Sequence, residues 1–201
     1  MTDFLPSVAV NLSEELRPET LFPSSSKELR LEIGFGDGER LIEQATLNPD
    51  VAFLGCEPFL NGVAKAVAAI SDQGLRNIRI HAGDARDLLA ALPPGSVDRI
   101  ELLYPDPWPK RRHHKRRIVS DAFLASAARV LKAGHELRYA TDIDDYCAWT
   151  LNHIARSPDF AWPAEQPNDW LIPWEGWKST RYEEKARREG RPSAYLTFVK
   201  R

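Results

Sequence analysis

The chain has 201 residues, of which 43% are hydrophobic and 28% are charged, and its formal net charge is −2. This length and composition predict one soluble globular domain with a substantial core. No apolar run has membrane-spanning length, and the N-terminus lacks the basic and apolar regions of a signal peptide. Cys56 and Cys147 stand in no metal or redox spacing, so we expect free thiols and a cytoplasmic protein.

Residues 1–28 show little periodicity and several prolines, which predicts a loosely ordered arm before a single domain at 29–201. From residue 29 onward, strand and helix patterns alternate. The predicted strands cover residues 29–35, 51–57, 77–83, 97–104, 136–141 and 194–200. The predicted helices cover residues 39–48, 59–74, 85–92, 118–134, 142–157 and 180–190. Gly134 is the expected stop of the fourth helix, and Asp142 is the expected N-cap of the fifth.

Strands that alternate with helices predict an α/β fold with a mostly parallel, doubly wound, Rossmann-like sheet. Ligands of such sheets bind beyond the carboxyl ends of the strands, at the point where the strand order reverses. We therefore expect the chemistry to lie after Phe35, at Glu57, after Gly83, after Tyr104 and after Thr141.

The first strand leads into a glycine-rich turn, LEIGFGDGE, in which Gly34 and Gly36 let the backbone approach a ligand closely. Glu39 stands where the dinucleotide fingerprint G-x-G-x-x-G has its third glycine. Acids at Glu32, Asp37 and Glu39 would repel a pyrophosphate, which disfavours the alternative of a nicotinamide oxidoreductase. S-adenosylmethionine, which has a sulfonium, an ammonium and no phosphate, fits better.

Acids also end the next two strands. Glu57 can accept hydrogen bonds from both hydroxyls of a ribose, and Asp84 can accept one from an adenine amine. An acid of this kind, taken alone, is more often a solvated loop residue than a ligand-binding one. Acids at three successive strand ends favour an S-adenosylmethionine site.

The fourth strand ends at a loop with three prolines, YPDPWPK, that presents Asp106 and Trp108. The run KRRHHKRR, residues 110–117, follows without an acid. A solvated charged face is the alternative interpretation of such a run. Cations beside a flat aromatic at a site of expected chemistry favour the phosphates and stacked bases of a nucleic acid, RNA in particular.

Four segments, in this order, resemble motifs of the bacterial tRNA (guanine-N7)-methyltransferase family: LEIGFGDGE, YPDPWPKRRHHKRRIV, YATDIDDY and TRYEEKARREG. The resemblance runs from Leu29 to the C-terminus. It implies a class I S-adenosylmethionine-dependent methyltransferase fold and methyl transfer to N7 of a guanine in the variable loop of tRNA, with S-adenosylhomocysteine as the product. No His, Cys and Asp cluster has metal-ligand spacing, so no metal is expected, and no obligate protein partner is implied.

The resemblance also implies roles for individual residues. Asp106 is the residue expected to be catalytic. The residues implied in binding the methyl donor are Glu32, Gly34, Gly36, Glu57, Asp84 and Asp106. The residues implied in substrate binding are Lys110, Asp142, Thr180, Arg181, Tyr182 and Glu183. The residues implied in RNA binding are Arg112, His113, His114, Lys115, Arg116 and Arg117.

The chain departs from the family pattern in two places. The late motif is Thr-Arg-Tyr-Glu, where the family usually has Thr-Lys-Phe-Glu, and arginine does not replace lysine neutrally. Many relatives carry a longer and basic N-terminal arm, whereas residues 1–28 hold five acids against Arg17 and Lys27. RNA contact from this arm is therefore not expected.

Guanine N7 carries a lone pair and no proton, so an in-line attack on a sulfonium methyl needs no general base. The product ring is cationic, and Asp106 is expected to stabilise the developing charge and to align the base. Asp142 and Glu183 are candidate acceptors for the guanine N1–H and amine. The remaining alternatives are a methyltransferase for another base or RNA and an inactive RNA-binding adaptor.

Four tryptophans are interpreted as a packed cover over the sheet or the site mouth, with base binding as the alternative: Trp162, Trp170, Trp174 and Trp177.

Overall fold

The computed structural model describes residues 8–12, 16–23 and 26–201. The strands are β1 (Glu28–Ile33), β2 (Val51–Cys56), β3 (Ile78–His81), β4 (Val97–Leu103), β5 (Leu131–Thr141), β6 (Phe160–Ala161) and β7 (Ala194–Lys200). The helices are α1 (Pro18–Leu21), α2 (Glu39–Leu47), α3 (Leu60–Gln73), α4 (Ala85–Ala91), α5 (Asp121–Val130), α6 (Asp144–Arg156), α7 (Asn168–Leu171) and α8 (Arg181–Arg188), with a 3₁₀-helix at Arg111–Arg116. Within the described ranges, no helix is both long and apolar enough to cross a membrane.

The seven strands form one sheet in the order β3-β2-β1-β4-β5-β7-β6. Strands β1 to β5 are parallel to one another, and β7 runs antiparallel to both β5 and β6. The predicted mostly parallel α/β sheet is therefore confirmed. The strand order reverses between β1 and β4, so the turn after β1 and the loop after β4 lie side by side at the edge where ligands of such sheets bind.

The core lies on both faces of this sheet. One row of paired and buried side chains crosses four strands, with Leu54, Leu31, Ile100 and Leu137 in register. Helices α4, α5 and α6 cover one face, and α2 and α3 cover the other. A fully buried leucine contributes about 1.5–3 kcal/mol. Two-sided burial suits β2, which is apolar throughout, whereas the neighbouring strands β1 and β4 each also carry charged residues.

The predicted boundary at Gly134 is wrong. Helix α5 ends at Val130, and β5 begins at Leu131, which pairs with Val97 of β4. The register then shifts before Glu136 pairs with Arg99, and Gly134 lies in this irregular stretch with a φ of +76°. The boundary is set by pairing with β4. A local helical pattern carries no information about such pairing.

The described part of the N-terminal segment packs on the domain. The Val10 N–H donates to the Ile80 carbonyl at 2.9 Å, and Val8, Leu16 and Phe22 are buried. Val10 thus extends the sheet beyond β3, the edge strand. The division into an arm at 1–28 and a domain at 29–201 stays a prediction.

Candidate active site

The turn after β1 is built from glycines and is held by an acid from the next strand end. Gly34, Gly36 and Gly38 all have positive φ, between 61° and 81°, a conformation that glycine adopts without steric cost. The carboxylate of Glu57, which is 8% exposed, accepts hydrogen bonds from the N–H groups of Gly36 and Phe59, both at 2.9 Å. Glu57 therefore lies at the turn and orients it.

Helix α3 approaches this turn at a glycine inside the helix. A Cβ atom placed on Gly62 would lie 2.2 Å from the Gly36 carbonyl oxygen, which is closer than any real contact. Only glycine lets α3 pack this closely on the turn. Gly62 therefore sets the position of the predicted donor-binding backbone.

Substituting Gly62 with alanine should displace the turn. Overpacking of this kind costs about 1–3 kcal/mol, and we expect at least a roughly tenfold loss of affinity for S-adenosylhomocysteine, since turn and ligand must fit closely. Calorimetric titration checks this, with Asn61→Ala, an exposed neighbour on α3, as the matched control. Unchanged affinity in G62A would contradict the assigned role.

Two buried acids share one arginine beside the turn. Arg40 donates to Glu32 at 2.8 Å and to both carboxylate oxygens of Glu101, at 2.5 and 3.0 Å. Its guanidinium also lies 5.1 Å from the ring of Trp177. Burial raises the pKa of Glu32 to about 7, and the charge of Glu101 adds to this against the pull of Arg40. Burial also acts to raise the pKa of Glu101, but Arg40 outweighs it, and that pKa lies below its ordinary value.

The raised pKa of Glu32 predicts a pH-dependent stability. Between its ordinary value of 4.5 and about 7, the folded protein holds a proton that the unfolded chain releases. The free energy of unfolding should therefore fall from about pH 5 to about pH 8, by up to about 3 kcal/mol. Glu32→Gln should remove this fall, as measured by urea unfolding at both pH values.

Glu101→Gln is the matched control for this measurement. Since the lowered pKa of Glu101 keeps its charge with Arg40, its loss should destabilise the protein at both pH values. The same pH dependence in wild type and E32Q would contradict the assignment of the proton to Glu32.

Asp84 follows β3, three residues after its last residue, His81, and its carboxylate is engaged locally. It is the N-cap of α4, accepting from the Arg86 N–H at 2.8 Å, and it also forms an ion pair with the Arg86 guanidinium at 2.5 Å. Its side chain is 41% exposed. Hydrogen bonding to Arg86 holds the pKa of Asp84 below its ordinary value. The carboxylate is thus ionised and reachable at the third strand end.

The loop after β4 has an unusual backbone. Tyr104 and Trp108 have positive φ, 49° and 44°, although neither is glycine, and such positions are uncommon and cluster at functional sites. Asp106 lies between them with its side chain exposed. The loop follows β4, the strand next to β1, so Asp106 lies on the side of the sheet where the strand order reverses.

The basic run forms the 3₁₀-helix after this loop. Its exposed cations are Lys110, Arg111, Arg112, Lys115 and Arg116. The Arg116 guanidinium lies 4.8 Å from the Trp108 ring centroid, and His113 contacts the edge of that ring. His114 is less exposed and contacts the edge of Trp149. Arg117, by contrast, is buried.

The late motif lies across the turn after β1. Thr180 is the N-cap of α8 and accepts from the Glu183 N–H at 3.2 Å. Arg181 forms an ion pair with Asp37 at 2.6 Å, and its guanidinium lies with the Tyr182 hydroxyl next to Gly36. This segment closes a cavity of about 300 Å³, which Glu32, Gly34, Tyr104 and residues 178–182 line.

Two predicted substrate acids are engaged within the protein. Glu183 is fully buried and accepts from the Trp177 indole at 2.7 Å, from the Tyr195 hydroxyl at 2.6 Å and from Arg187. Asp142 accepts from Arg191 at 2.7 Å. The prediction that Asp142 is a helix N-cap is wrong, because α6 has Ile143 in that position.

The tryptophans pack as the predicted cover over the sheet. Trp174 and Trp177 contact the ring of Tyr195 on β7, with centroids 5.6 and 5.7 Å away, and Trp162 packs on Trp170. The Trp174 indole donates to Thr197 at 2.8 Å. Of the four, Trp177 reaches the site, because it contacts Arg40 and donates to Glu183.

Several residues of the site were missed by sequence reasoning: Arg40, Gly62, Glu101 and Arg191. Glu101 had a usable signal, because it is an acid inside the apolar end of a central strand, between Ile100 and Leu102. Gly62 had one too, as a lone glycine inside a helical pattern. No local signal marks Arg40 or Arg191, whose partners are distant in sequence. Among the described residues, no cluster of His, Cys, Asp and Glu could hold a metal ion.

A Rossmann-like sheet with an acid-lined glycine turn at its reversal point is the architecture of a methyltransferase. The sequence model of the family described as "putative methyltransferase" matches residues 26–196. The fold is similar to that of TrmN from Thermus thermophilus, with a TM-score of 0.60, 22% identity and coverage of 98% of this chain and 52% of that one. It is also similar to a 30S ribosomal A1408 methyltransferase from an uncultured bacterium, with a TM-score of 0.58, 15% identity and coverage of 94% and 96%.

Sequence relatives define the family more narrowly. A tRNA (guanine-N(7)-)-methyltransferase of Nitrobacter winogradskyi is 57% identical over 181 residues, which are 90% of this chain and 70% of the relative. One of Rhodopseudomonas palustris is 52% identical over 200 residues, 98% of this chain and 80% of the relative. The chain belongs to the tRNA (guanine-N(7)-)-methyltransferase family, which confirms the resemblance found in the sequence.

Proposed function

We propose that this protein transfers a methyl group from S-adenosylmethionine to N7 of a guanine in the variable loop of tRNA. One observation carries the proposal: an acid-lined turn follows β1, and a loop with Asp106 and a row of exposed cations follows β4, the strand next to β1 at the reversal point of the sheet. The first suits a cationic donor without phosphate, and the second suits a polyanionic acceptor. The relatives, which are tRNA (guanine-N(7)-)-methyltransferases, support tRNA as the substrate and guanine N7 as the methylated atom.

The residues around the turn fit the donor. Glu57 is fixed by two backbone N–H groups, and each of its oxygens keeps a lone pair for a ribose hydroxyl. Asp84 is ionised and reachable, which suits an adenine amine. When bound, S-adenosylmethionine supplies an electrophilic methyl group on a positively charged sulfur. Glu32, at the wall of the cavity, attracts positive charge more strongly once it has lost its proton.

Asp106 is the residue that we assign to the transfer itself. Asp106 is exposed in the loop after β4, so a guanine can reach its carboxylate without any rearrangement of the core. As N7 becomes bonded to carbon, positive charge develops on the purine, and a fixed carboxylate stabilises it. Since N7 carries no proton, none of the protein's groups has to act as a base.

The acids of the late segments divide into two roles. Asp142 is paired with Arg191, whose side chain is 37% exposed, so Asp142 can exchange this partner for the donors of guanine. Glu183 has three internal donors and no exposed surface. We therefore assign Glu183 to holding Thr180, Arg181 and Tyr182 against the turn, which differs from the direct contact expected from the sequence.

The tRNA side follows from the exposed cations. We assign phosphate contacts to Lys110, Arg112, Lys115 and Arg116, with His113 and His114 beside them. The paired Trp108 and Arg116 offer a flat surface on which a base can stack. A cytoplasmic location agrees with free thiols at Cys56 and Cys147 and with tRNA as the substrate.

Two measurements test this proposal. The protein should incorporate label from methyl-labelled S-adenosylmethionine into unmodified tRNA, with N7-methylguanosine as the product nucleoside. Incorporation into another nucleoside would favour the alternative base or RNA. Thermal shift should show stabilisation by S-adenosylhomocysteine and none by NADH, and the reverse result would favour the oxidoreductase. Donor binding without any transfer to RNA would favour the inactive adaptor.

A further inference from the structure

Arg117 differs from every other cation of the basic run in its surroundings. Its side chain has no exposed surface, whereas Arg111, Arg112, Lys115 and Arg116 are exposed. A guanidinium without exposed surface cannot reach a phosphate group in this conformation. Arg117 therefore differs in role from the exposed cations with which the sequence motif groups it.

The contacts of Arg117 tie two parts of the molecule together. Its guanidinium lies between the rings of Tyr146 and Trp149 on α6, 4.8 and 5.1 Å from their centroids. It donates to the carboxylate of Asp145 on the same helix. Its Nε donates to the Pro107 carbonyl at 2.9 Å. We call Arg117, Asp145, Tyr146 and Trp149 the arginine clasp.

The carbonyl that Arg117 holds belongs to the residue after Asp106. The prolines of this loop, Pro105, Pro107 and Pro109, lack N–H groups, so the loop has few backbone donors with which to fix itself. Positive φ values at Tyr104 and Trp108 add strain that persists only where the surroundings enforce it. The hydrogen bond from Arg117 is such an external restraint, and it lies one residue from the carboxylate that is assigned to the transfer.

We propose that Arg117 is a positioning residue that fixes the Asp106 loop against α6, and that it does not bind tRNA phosphates. The inference rests on the proposed function for the role of Asp106. A lysine cannot replace Arg117, because a single ammonium cannot fill the planar space between two rings while it donates to both Pro107 and Asp145. Small displacements of a reacting group can lower rates by about 10²-fold.

The test separates positioning from phosphate binding by the salt dependence of tRNA affinity. Arg117→Lys should lower kcat at saturating tRNA by about tenfold or more. Its tRNA Kd should stay within about twofold of wild type, and the slope of log Kd against log salt should not change. The matched variant Arg112→Ala should weaken tRNA binding and reduce that slope by about one.

Opposite results would overturn the inference. A reduced salt slope in R117K with wild-type kcat would assign Arg117 to phosphate binding. A wild-type kcat per folded molecule, counted by S-adenosylhomocysteine titration, together with a lower melting temperature would make its role merely structural. If R117K does not fold, Asp145→Asn replaces it as the test, because the Asp145 carboxylate is 65% exposed. This variant should also lower kcat and leave the salt slope of tRNA binding unchanged. A wild-type kcat in D145N would overturn the inference.

Hydrogen exchange keeps this test independent of the enzymatic activity. The amides of Tyr104, Asp106 and Trp108 should exchange faster in R117K than in wild type, and in R112A they should not. Unchanged exchange in R117K would overturn the inference even if tRNA methylation is as proposed. A wild-type protein that transfers no methyl group, with faster exchange in R117K, would refute the proposed function and leave the anchoring of the loop intact.

Discussion

Asp106→Asn is expected to lower kcat for tRNA methylation by about 10²- to 10³-fold, the usual effect of removing one group that stabilises transition-state charge. The amide keeps the shape of the side chain and loses its negative charge. Because Asp106 is exposed, the substitution should leave the melting temperature within about 2 °C of wild type, as surface changes usually do. Steady-state kinetics at saturating tRNA and donor measures the effect.

Asp72→Asn is the matched control for this substitution, since Asp72 is an exposed aspartate on α3, away from the reversal point. It should have wild-type kcat. If D106N retained the wild-type kcat, the assignment of charge stabilisation to Asp106 would be wrong. Asp106 would then contribute only to binding of the donor or the base. A larger KM with unchanged kcat would be the signature of that outcome.

Arg40→Met is expected to destabilise the fold by about 3–5 kcal/mol, because removal of one partner from a buried ion pair leaves charge without compensation. Here it leaves two, Glu32 and Glu101, whose side chains are 7% and 5% exposed. For a chain of this size the melting temperature should drop by roughly 10 °C. Urea unfolding at pH 8 is the sharpest condition, since Glu32 has then lost its proton.

The triple variant Arg40→Met, Glu32→Gln, Glu101→Gln tests the cause of this loss. It removes the two carboxylates together with the arginine, so much of the stability should return. A triple variant as unstable as R40M would assign the loss to packing against Trp177 instead. An R40M protein within about 1 kcal/mol of wild type would contradict the burial of these charges altogether.

The central strands and most helices could be predicted because their signals are local. Each strand is a short segment rich in apolar residues, and each of β1 to β5 is followed by a helix with its own apolar stripe. The boundary at Gly134 could not be predicted in this way, because pairing of Leu131 with Val97 extends β5 backward through the glycine. The local helical pattern and Gly134 predict a helix up to residue 134. Pairing with Val97, which is 34 positions before Leu131, makes residues 131–134 part of a strand instead.

The residues of the site were likewise predictable only where their signal is local or follows from the order of the strands. Glycines and acids at strand ends were predictable, because the topology of a parallel sheet brings strand ends together. The environments of Glu183 and Arg117 were not, because a motif shows residue type and spacing but not burial. Glu183 meets Tyr195, and Arg117 meets Tyr146 and Trp149, only through tertiary packing. Two charged residues of recognised motifs therefore lie inside the protein.

Mapping the methylated position in tRNA tests the central claim most directly. Unmodified tRNA is incubated with the wild-type protein and S-adenosylmethionine and then cleaved chemically at N7-methylguanosine. The proposed function predicts cleavage at one guanosine in the variable loop, and 7-deazaguanosine at that position, which has no N7, should abolish methyl incorporation. Absence of variable-loop cleavage, or incorporation that persists with 7-deazaguanosine, would contradict it.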